Sequence, residues 1–201
     1  MIAKILVLFC HPTLEKSRAN KALLSAYRNK DACTFRDLYE EYPTFEVNVA
    51  AEQQLLLEHD VIIWHHPMYW YNCPPLLKQW IDMVLSVGWA YGPGGRALEG
   101  KKLIQVVTTG GQEAMYQPDG FHGYTIRDFL RPFERTAGLC NMRYLAPFVV
   151  HGTHRMDSEA LDASRRSLER MLHMLQTERL DQIAWGNYRT MQHYLSENAT
   201  L

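Results

Sequence analysis

Four short apolar runs, IAKILVLF (2–9), DVIIWHH (60–66), KLIQVVTT (102–109) and YLAPFVVHG (144–152), are mostly continuous rather than alternating. A strand with one wet face alternates apolar and polar residues, whereas an unbroken apolar run of this length marks a strand buried on both faces. That is the condition of a parallel sheet covered by helices. A fifth run, CTFRDLYE (33–40), is more polar and suits a sheet edge. Helical patterns lie between the runs: SRANKALLSAYRN (17–29) with a Ser to cap it, VAAEQQLLLEHD (49–60), PPLLKQWIDMVLS (74–86) opening on prolines, and TIRDFLRPFERTAG (125–138). Pro132 is expected to kink or divide the last of these. SEALDASRRSLERMLHMLQTERL (158–180) places Leu161, Leu168, Met171, Leu172 and Leu175 on one face, with acids early and arginines late.

Strand and helix therefore alternate, which predicts right-handed βαβ crossovers and an α/β fold with a doubly wound parallel sheet and helices on both faces; the five-stranded order considered is 2-1-3-4-5. The expected organisation is one domain over residues 1–180 and an accessory tail, 181–201, that packs on the body or on a second subunit. The 21 basic and 22 acidic side chains are interspersed, so the chain has no field to recruit nucleic acid or an anionic membrane. No stretch reaches the ~20 apolar residues of a membrane span. MIAKILVLFCHP is interrupted too soon for a signal peptide, so a cytoplasmic protein is expected. Cys10, Cys33, Cys73 and Cys140 form no CxxC and read as buried free thiols. HH (65–66) and HGTH (151–154) lack a Cys or carboxylate partner at zinc-site spacing, so no metal is expected.

Ligands of open parallel sheets sit beyond the carboxyl ends of the strands where the winding reverses. In a 2-1-3-4-5 sheet the loops after strands one, three and four share that crevice. CHPTLEKSRAN (10–20) brings His11, Ser17, Arg18 and Asn20 to a helix N-terminus, where amides, a hydroxyl and two potential cations could cradle a phosphate. An ordinary capped loop would look the same. No GxGxxG follows the first strand, and GPGGR (92–96) lacks the Walker A lysine and serine. HPMYWYNCPP (66–75) offers aromatic walls for a flat heteroaromatic ligand, or alternatively an interface cluster. In TTGGQEAMYQPDGFHG (108–123), Gly110 and Gly111 let main-chain amides approach a ligand, while Tyr116 and His122 are either surface residues or a proton-handling pair.

Taken together, HP…SRAN, HPMYWYNCPPLLKQWIDMVLSVGWAYG, TTGGQEAMYQPDGFHG and DLYEEYPTFEVNVAAEQ resemble the flavodoxin-like NAD(P)H:quinone oxidoreductases of the DT-diaphorase type. Within these they resemble above all the bacterial KefF and KefG ancillary oxidoreductases of the glutathione-regulated potassium-efflux system, over roughly residues 2–150. The resemblance implies FMN as cofactor, with FAD disfavoured because the tail is shorter than the extra domain of the mammalian enzymes. NAD(P)H is the implied hydride donor and a quinone or similar small molecule the acceptor, in two alternating half-reactions.

By motif, His11, Ser17, Arg18, Ala19 and Asn20 match phosphate and ribityl contacts, and Met68, Tyr69, Trp70 and Tyr71 match the loop along the isoalloxazine. Thr108, Thr109, Gly110 and Gly111 match the turn at its pyrimidine side, and Tyr116 and His122 match the pair that manages charge during hydride transfer. The family works as a homodimer with its site at the interface, so Trp70, Trp89 and Tyr91 are expected to face a second chain. The KefF and KefG likeness also implies an alternative: a regulatory subunit docked on a potassium-efflux membrane protein, peripheral to the inner membrane, with redox activity secondary.

Overall fold

The computed structural model describes residues 2–27, 33–177 and 183–198. Its strands are β1 (Ile5–Phe9), β2 (Thr34–Asp37), β3 (Val61–Pro67), β4 (Lys102–Thr108), β5 (Arg143–Tyr144) and β6 (Phe148–Val150). All pairings are parallel and the order is β2-β1-β3-β4-β5, as the flavodoxin-like resemblance implies. Every residue of β1 and β3 is buried, whereas β2 is half-exposed at its edge.

The fifth run is broken in two, because β6 also pairs with β4 beyond the end of β5. Leu103 faces Tyr144 but Val106 faces Phe148, so the stretch between carries one extra residue, a bulge. Pro147, with no N–H to give a ladder, sits within it.

The helices are α1 (Arg18–Leu24), α2 (Leu38–Glu41), α3 (Val49–Glu58), α4 (Pro75–Val84), α5 (Ile126–Leu139), α6 (Ser158–Thr177) and α7 (Met191–Glu197). α1 gives way to a 3-10 turn at Ser25–Tyr27, so the expected helix is shorter than its pattern; its last two positions, 28 and 29, lie outside the described residues. The expected division at Pro132 does not occur, and α5 runs through it. Burial of Ile126, Leu130, Phe133 and Ala137 along one face, with a reciprocal Thr125–Asp128 capping box, outweighs the lost hydrogen bond.

Alternate strand residues feed two cores. Leu6, Leu8, Ile62 and Trp64 pack toward α3, α4 and α5, while Val7, Ile63 and Val106 pack toward α1 and α6. The four cysteines are buried and unbridged. Residues 183–198 close over the sheet's outer edge. Met191 N–H donates to Pro147 O, and the Gln192 side chain brackets Val149, accepting from its N–H at 3.2 Å and donating to its C=O at 2.6 Å. This blunts the unpaired edge of β6. Positions 178–182 and 199–201 of the expected last helix and tail lie outside the described residues. Among the described residues no helix is long and apolar enough to cross a membrane.

One buried ionic cluster ties the helical layer together. The fully buried Glu52 of α3 accepts from Arg36 Nη2 at 2.8 Å, Tyr42 Oη at 2.7 Å and Trp80 Nε1 at 2.9 Å. Removing the carboxylate leaves the Tyr42 hydroxyl and the buried Trp80 N–H without their acceptor, and leaves Arg36, whose Nε already has no partner, with only the half-exposed Glu41 at 3.2 Å. Glu52→Ala is therefore expected to cost about 3 kcal/mol or more in urea unfolding; a loss below about 1 kcal/mol would show that the cluster is dispensable.

Candidate active site

The loops after β1, β3 and β4 converge as the topology requires, around a cleft of ≈ 510 Å³ at the strand ends. His11, Ser17, Arg18, Ala19, Asn20, Met68, Tyr69, Thr108 and Gly110, all singled out from the sequence, line it. The convergence is held by a buried amide. Asn20, 2% exposed, donates from Nδ2 to Ser17 Oγ at 2.9 Å and Thr108 Oγ1 at 3.1 Å, and its Oδ1 lies 3.0 Å from His65 Nε2. A carbonyl oxygen only accepts, so His65 Nε2 carries the proton, and Nδ1 accepts from Tyr27 Oη at 2.9 Å. One side chain thus joins the first loop to β3 and β4.

Asn20 therefore has its hydrogen bonds inside the protein and shapes the loop. The Ser17 hydroxyl accepts from the Asn20 N–H and Nδ2–H, which leaves its own proton free to donate into the cleft. His11 corrects an expectation. Its Nδ1 accepts from Thr13 N–H at 3.1 Å, and burial pushes its pKa down, so it presents a neutral Nε2–H rather than a positive charge. The cations at this end are exposed Lys16 and Arg18, and Lys16 was not among the residues singled out from the sequence.

The aromatic loop is a two-residue hairpin. Tyr69 and Asn72 exchange both N–H···O bonds at 2.9 Å, with Trp70 at φ 49° and Tyr71 at φ 61° between them. This is the geometry of a type I′ turn, normally filled by Asn-Gly, here made by two bulky L-residues. Trp70 is 94% exposed and turns away from the cleft, while Trp89 and Tyr91 pack against the core. Tyr71 lies edge-on to His122, with ring centroids 5.5 Å apart, and stacks on Phe129 at 5.1 Å.

Beside the cleft, Tyr116 and His122 meet with ring centroids 4.5 Å apart. Tyr116 is only 6% exposed, and burial raises its pKa. The two glycines make room for side chains of this chain: a Cβ on Gly110 would lie 2.7 Å from His154 Nε2, and one on Gly111 would lie 3.1 Å from the Tyr116 ring. Thr109 is buried beneath them and donates to Gly111 O at 2.8 Å.

A fourth loop went unread. Thr153 and His154, after β6, line the cleft, and Thr153 N–H and Oγ1 both bond Thr109 O at 3.1 Å. In the sequence HGTH offers only a metal-pair pattern, and the bulge that carries it to this place is a tertiary feature. Among the described residues no group of three His, Cys, Asp or Glu is set to hold a metal.

Two outcomes follow. Within one protomer, Trp70→Gly exchanges a left-handed L-residue for one that adopts φ > 0 freely and loses little packing, so at concentrations dilute enough for a monomer it is expected to raise unfolding free energy by about 1 kcal/mol in urea titration. No gain would mean that the turn is unstrained. Burial also holds His65 and His66 neutral, with pKa values lowered to about 3 and about 4. Both unprotonated nitrogens accept hydrogen bonds, from Tyr27 and from Gln105. Between the unfolded-state value near 6.5 and these folded values, the unfolded chain binds more protons. Stability should thus be level above about pH 7 and fall as pH drops from about 6.5 toward 4, by up to about 1.4 kcal/mol per pH unit for each histidine. Urea midpoints across that range check this, and a flat profile contradicts it.

The chain matches the family model described as flavodoxin-like fold over residues 3–172. It is 45% identical to the glutathione-regulated potassium-efflux system ancillary protein KefG of Erwinia tasmaniensis, over 79% of this chain and 86% of that protein. Among solved structures it is similar to general stress protein 14 of Treponema denticola in complex with FMN, with TM-score 0.83, 42% identity, and 86% of this chain and 99% of that one covered. It is also similar to an NADPH-quinone reductase of P. pentosaceus, with TM-score 0.75, 34% identity, and 87% and 98% covered. With its 2-1-3-4-5 sheet, its strand-end cleft and this match over most of its length, the chain belongs to the flavodoxin-like fold family.

Proposed function

We propose that the chain is an FMN-dependent NAD(P)H:quinone oxidoreductase. The observation that carries the reading is a single cleft whose one end holds Lys16, Arg18 and the free Ser17 proton, and whose wall holds Met68 and Tyr69, with Tyr116 and His122 just beyond. Cations with hydroxyl and amide donors suit a phosphate, and an apolar aromatic wall suits a flat ring. The volume falls within the ~300–1,000 Å³ range of small-molecule sites. This donor set fits FMN, the ligand of the similar Treponema denticola protein.

FMN, when bound, supplies the acceptance and donation of hydride between NAD(P)H and a quinone. The protein's share is binding, orientation and proton handling. Lys16, Arg18 and Ser17 would hold the phosphate, the neutral His11 Nε2–H would add a donor, and Met68 and Tyr69 would hold the ring. Tyr116 keeps its proton at Oη until charge develops beside it, and the adjacent His122 imidazole accommodates positive charge. A ping-pong order, with the oxidised nicotinamide leaving before the quinone binds, would follow if the cleft admits the two in turn.

The 94% exposed Trp70, held outward by two left-handed residues, supports a homodimer in which a second copy covers the mouth of the site. A second reading, a regulatory subunit of a potassium-efflux membrane protein, is favoured by the 45% identity to KefG.

The test is the visible spectrum after FMN loading and removal of excess, repeated anaerobically with NADPH. Retained flavin that bleaches is expected, with Tyr116→Phe and His122→Ala each slowing bleaching by about a hundredfold. Protein that retains no flavin, or variants that bleach at the parent rate, would overturn the assignment. In the former case, capture by the efflux protein in a pull-down would establish the regulatory reading instead.

A further inference from the structure

Tyr116 has a second imidazole neighbour that its loop does not contain. His151, in the segment after β6, lies with its ring centroid 5.2 Å from that of Tyr116 and its Nδ1 3.0 Å from Thr109 Oγ1. Thr109 has one hydroxyl proton, and the Gly111 carbonyl 2.8 Å away can only accept it. Thr109 Oγ1 must therefore accept from His151, which places the proton on Nδ1 and leaves Nε2 bare in the neutral ring. The Tyr116 phenol lies against the same turn, since a Cβ on Gly111, whose carbonyl takes the Thr109 proton, would lie 3.2 Å from Tyr116 Oη; burial raises the phenol's pKa, and the Thr109 hydroxyl is the neighbour that can offset it.

The geometry points to His151 as a positioning residue for Tyr116: by donating Nδ1–H to Thr109 Oγ1, it sets how readily the Tyr116 phenol gives up its proton. When Tyr116 Oη becomes anionic, the Thr109 hydroxyl turns from Gly111 O to the phenolate. The carbonyl keeps a partner meanwhile, because Gly152 N–H also donates to it at 2.8 Å. His151 remains hydrogen-bonded behind Thr109, and a chain of donors polarised in one direction binds an anion better than its last member alone.

His151 also walls two adjoining surface depressions, through which its ring is reached from solvent without passing the FMN cleft. Burial lowers its pKa, opposed by Glu113. The charged or titratable groups around the cluster are Glu113 from the turn before Tyr116, Tyr71 from the aromatic hairpin and His122 from the same loop. Arg155 follows β6, and Arg189 and His193 come from the C-terminal segment.

As a statement about catalysis this rests on the oxidoreductase reading, but its test does not need flavin. In flavin-free protein labelled with carbon-13 at the tyrosine ζ position, the Tyr116 signal is assigned by its loss in Tyr116→Phe. His151→Phe and Thr109→Val are each expected to move the Tyr116 titration up by about one pH unit, the size of one lost hydrogen bond, with His151→Gln, which keeps a donor, lying closer to the parent. Nitrogen-15 spectra of the unsubstituted protein should show neutral His151 as the Nδ1–H tautomer. An unmoved Tyr116 titration in His151→Phe, whatever Thr109→Val does, or an Nε2–H tautomer, overturns the proposal. If the titration moves while FMN-loaded His151→Phe still bleaches with NADPH at the parent rate, the coupling stands and the catalytic role given to Tyr116 falls.

Discussion

The candidate site depends on one buried amide. Asn20 leaves the first turn of α1 and reaches under the crevice, where Ser17, Thr108 and His65 take up its hydrogen bonds. Those partners belong to the first loop, the end of β4 and the end of β3, so the relative position of three separate chain segments rests on a side chain with fixed donor and acceptor ends. An apolar residue could fill the volume but would leave the Ser17, Thr108 and His65 polar atoms without their shared partner, each at about 1–3 kcal/mol. Burial keeps His65 neutral, and the same arrangement gives each of its nitrogens a partner, Nε2 donating to Asn20 and Nδ1 accepting from Tyr27.

Around that anchor the loops are shaped against local preference. Two consecutive aromatic residues at positive φ are unfavourable in isolation, and the reciprocal Tyr69–Asn72 pairing holds them there. The same turn carries Trp70 into solvent and brings Tyr71 against His122 and Phe129. In the third loop, Gly110 and Gly111 are small because His154 and Tyr116 occupy the space a Cβ would take. Glycine next to a strand end was legible as a sign of close approach. Which groups approach could not be read, since His154 is more than forty residues further along the chain.

The buried parallel strands and the edge position of β2 were readable, because burial on both faces leaves short continuous apolar runs bounded by helical patterns, and the crevice between strands one, three and four followed from the flavodoxin-like order that the motifs imply. Local pattern misjudged two places. A proline within a helical run cannot reveal that the helix's whole apolar face is buried in the core, which is what carries α5 through Pro132. Nor can YLAPFVVHG reveal the extra residue at Leu145–Pro147, since a bulge is defined by the partner strand. His11 is similar: its residue type suggested a cation, and only the Thr13 amide and its burial make it a neutral donor.

By itself the sequence determined the fold class, because periodicity and the alternation of strand and helix act through neighbours in the chain, and its motifs carried the strand order and most of the cleft lining through their family resemblance. Tertiary structure alone decided which residues share a proton. The Asn20–His65–Thr108 anchor and the Thr109–His151 bond depend on distances near 3 Å between segments far apart in sequence. A hydrogen bond is directional and short-ranged, so it leaves no periodic trace in a linear string.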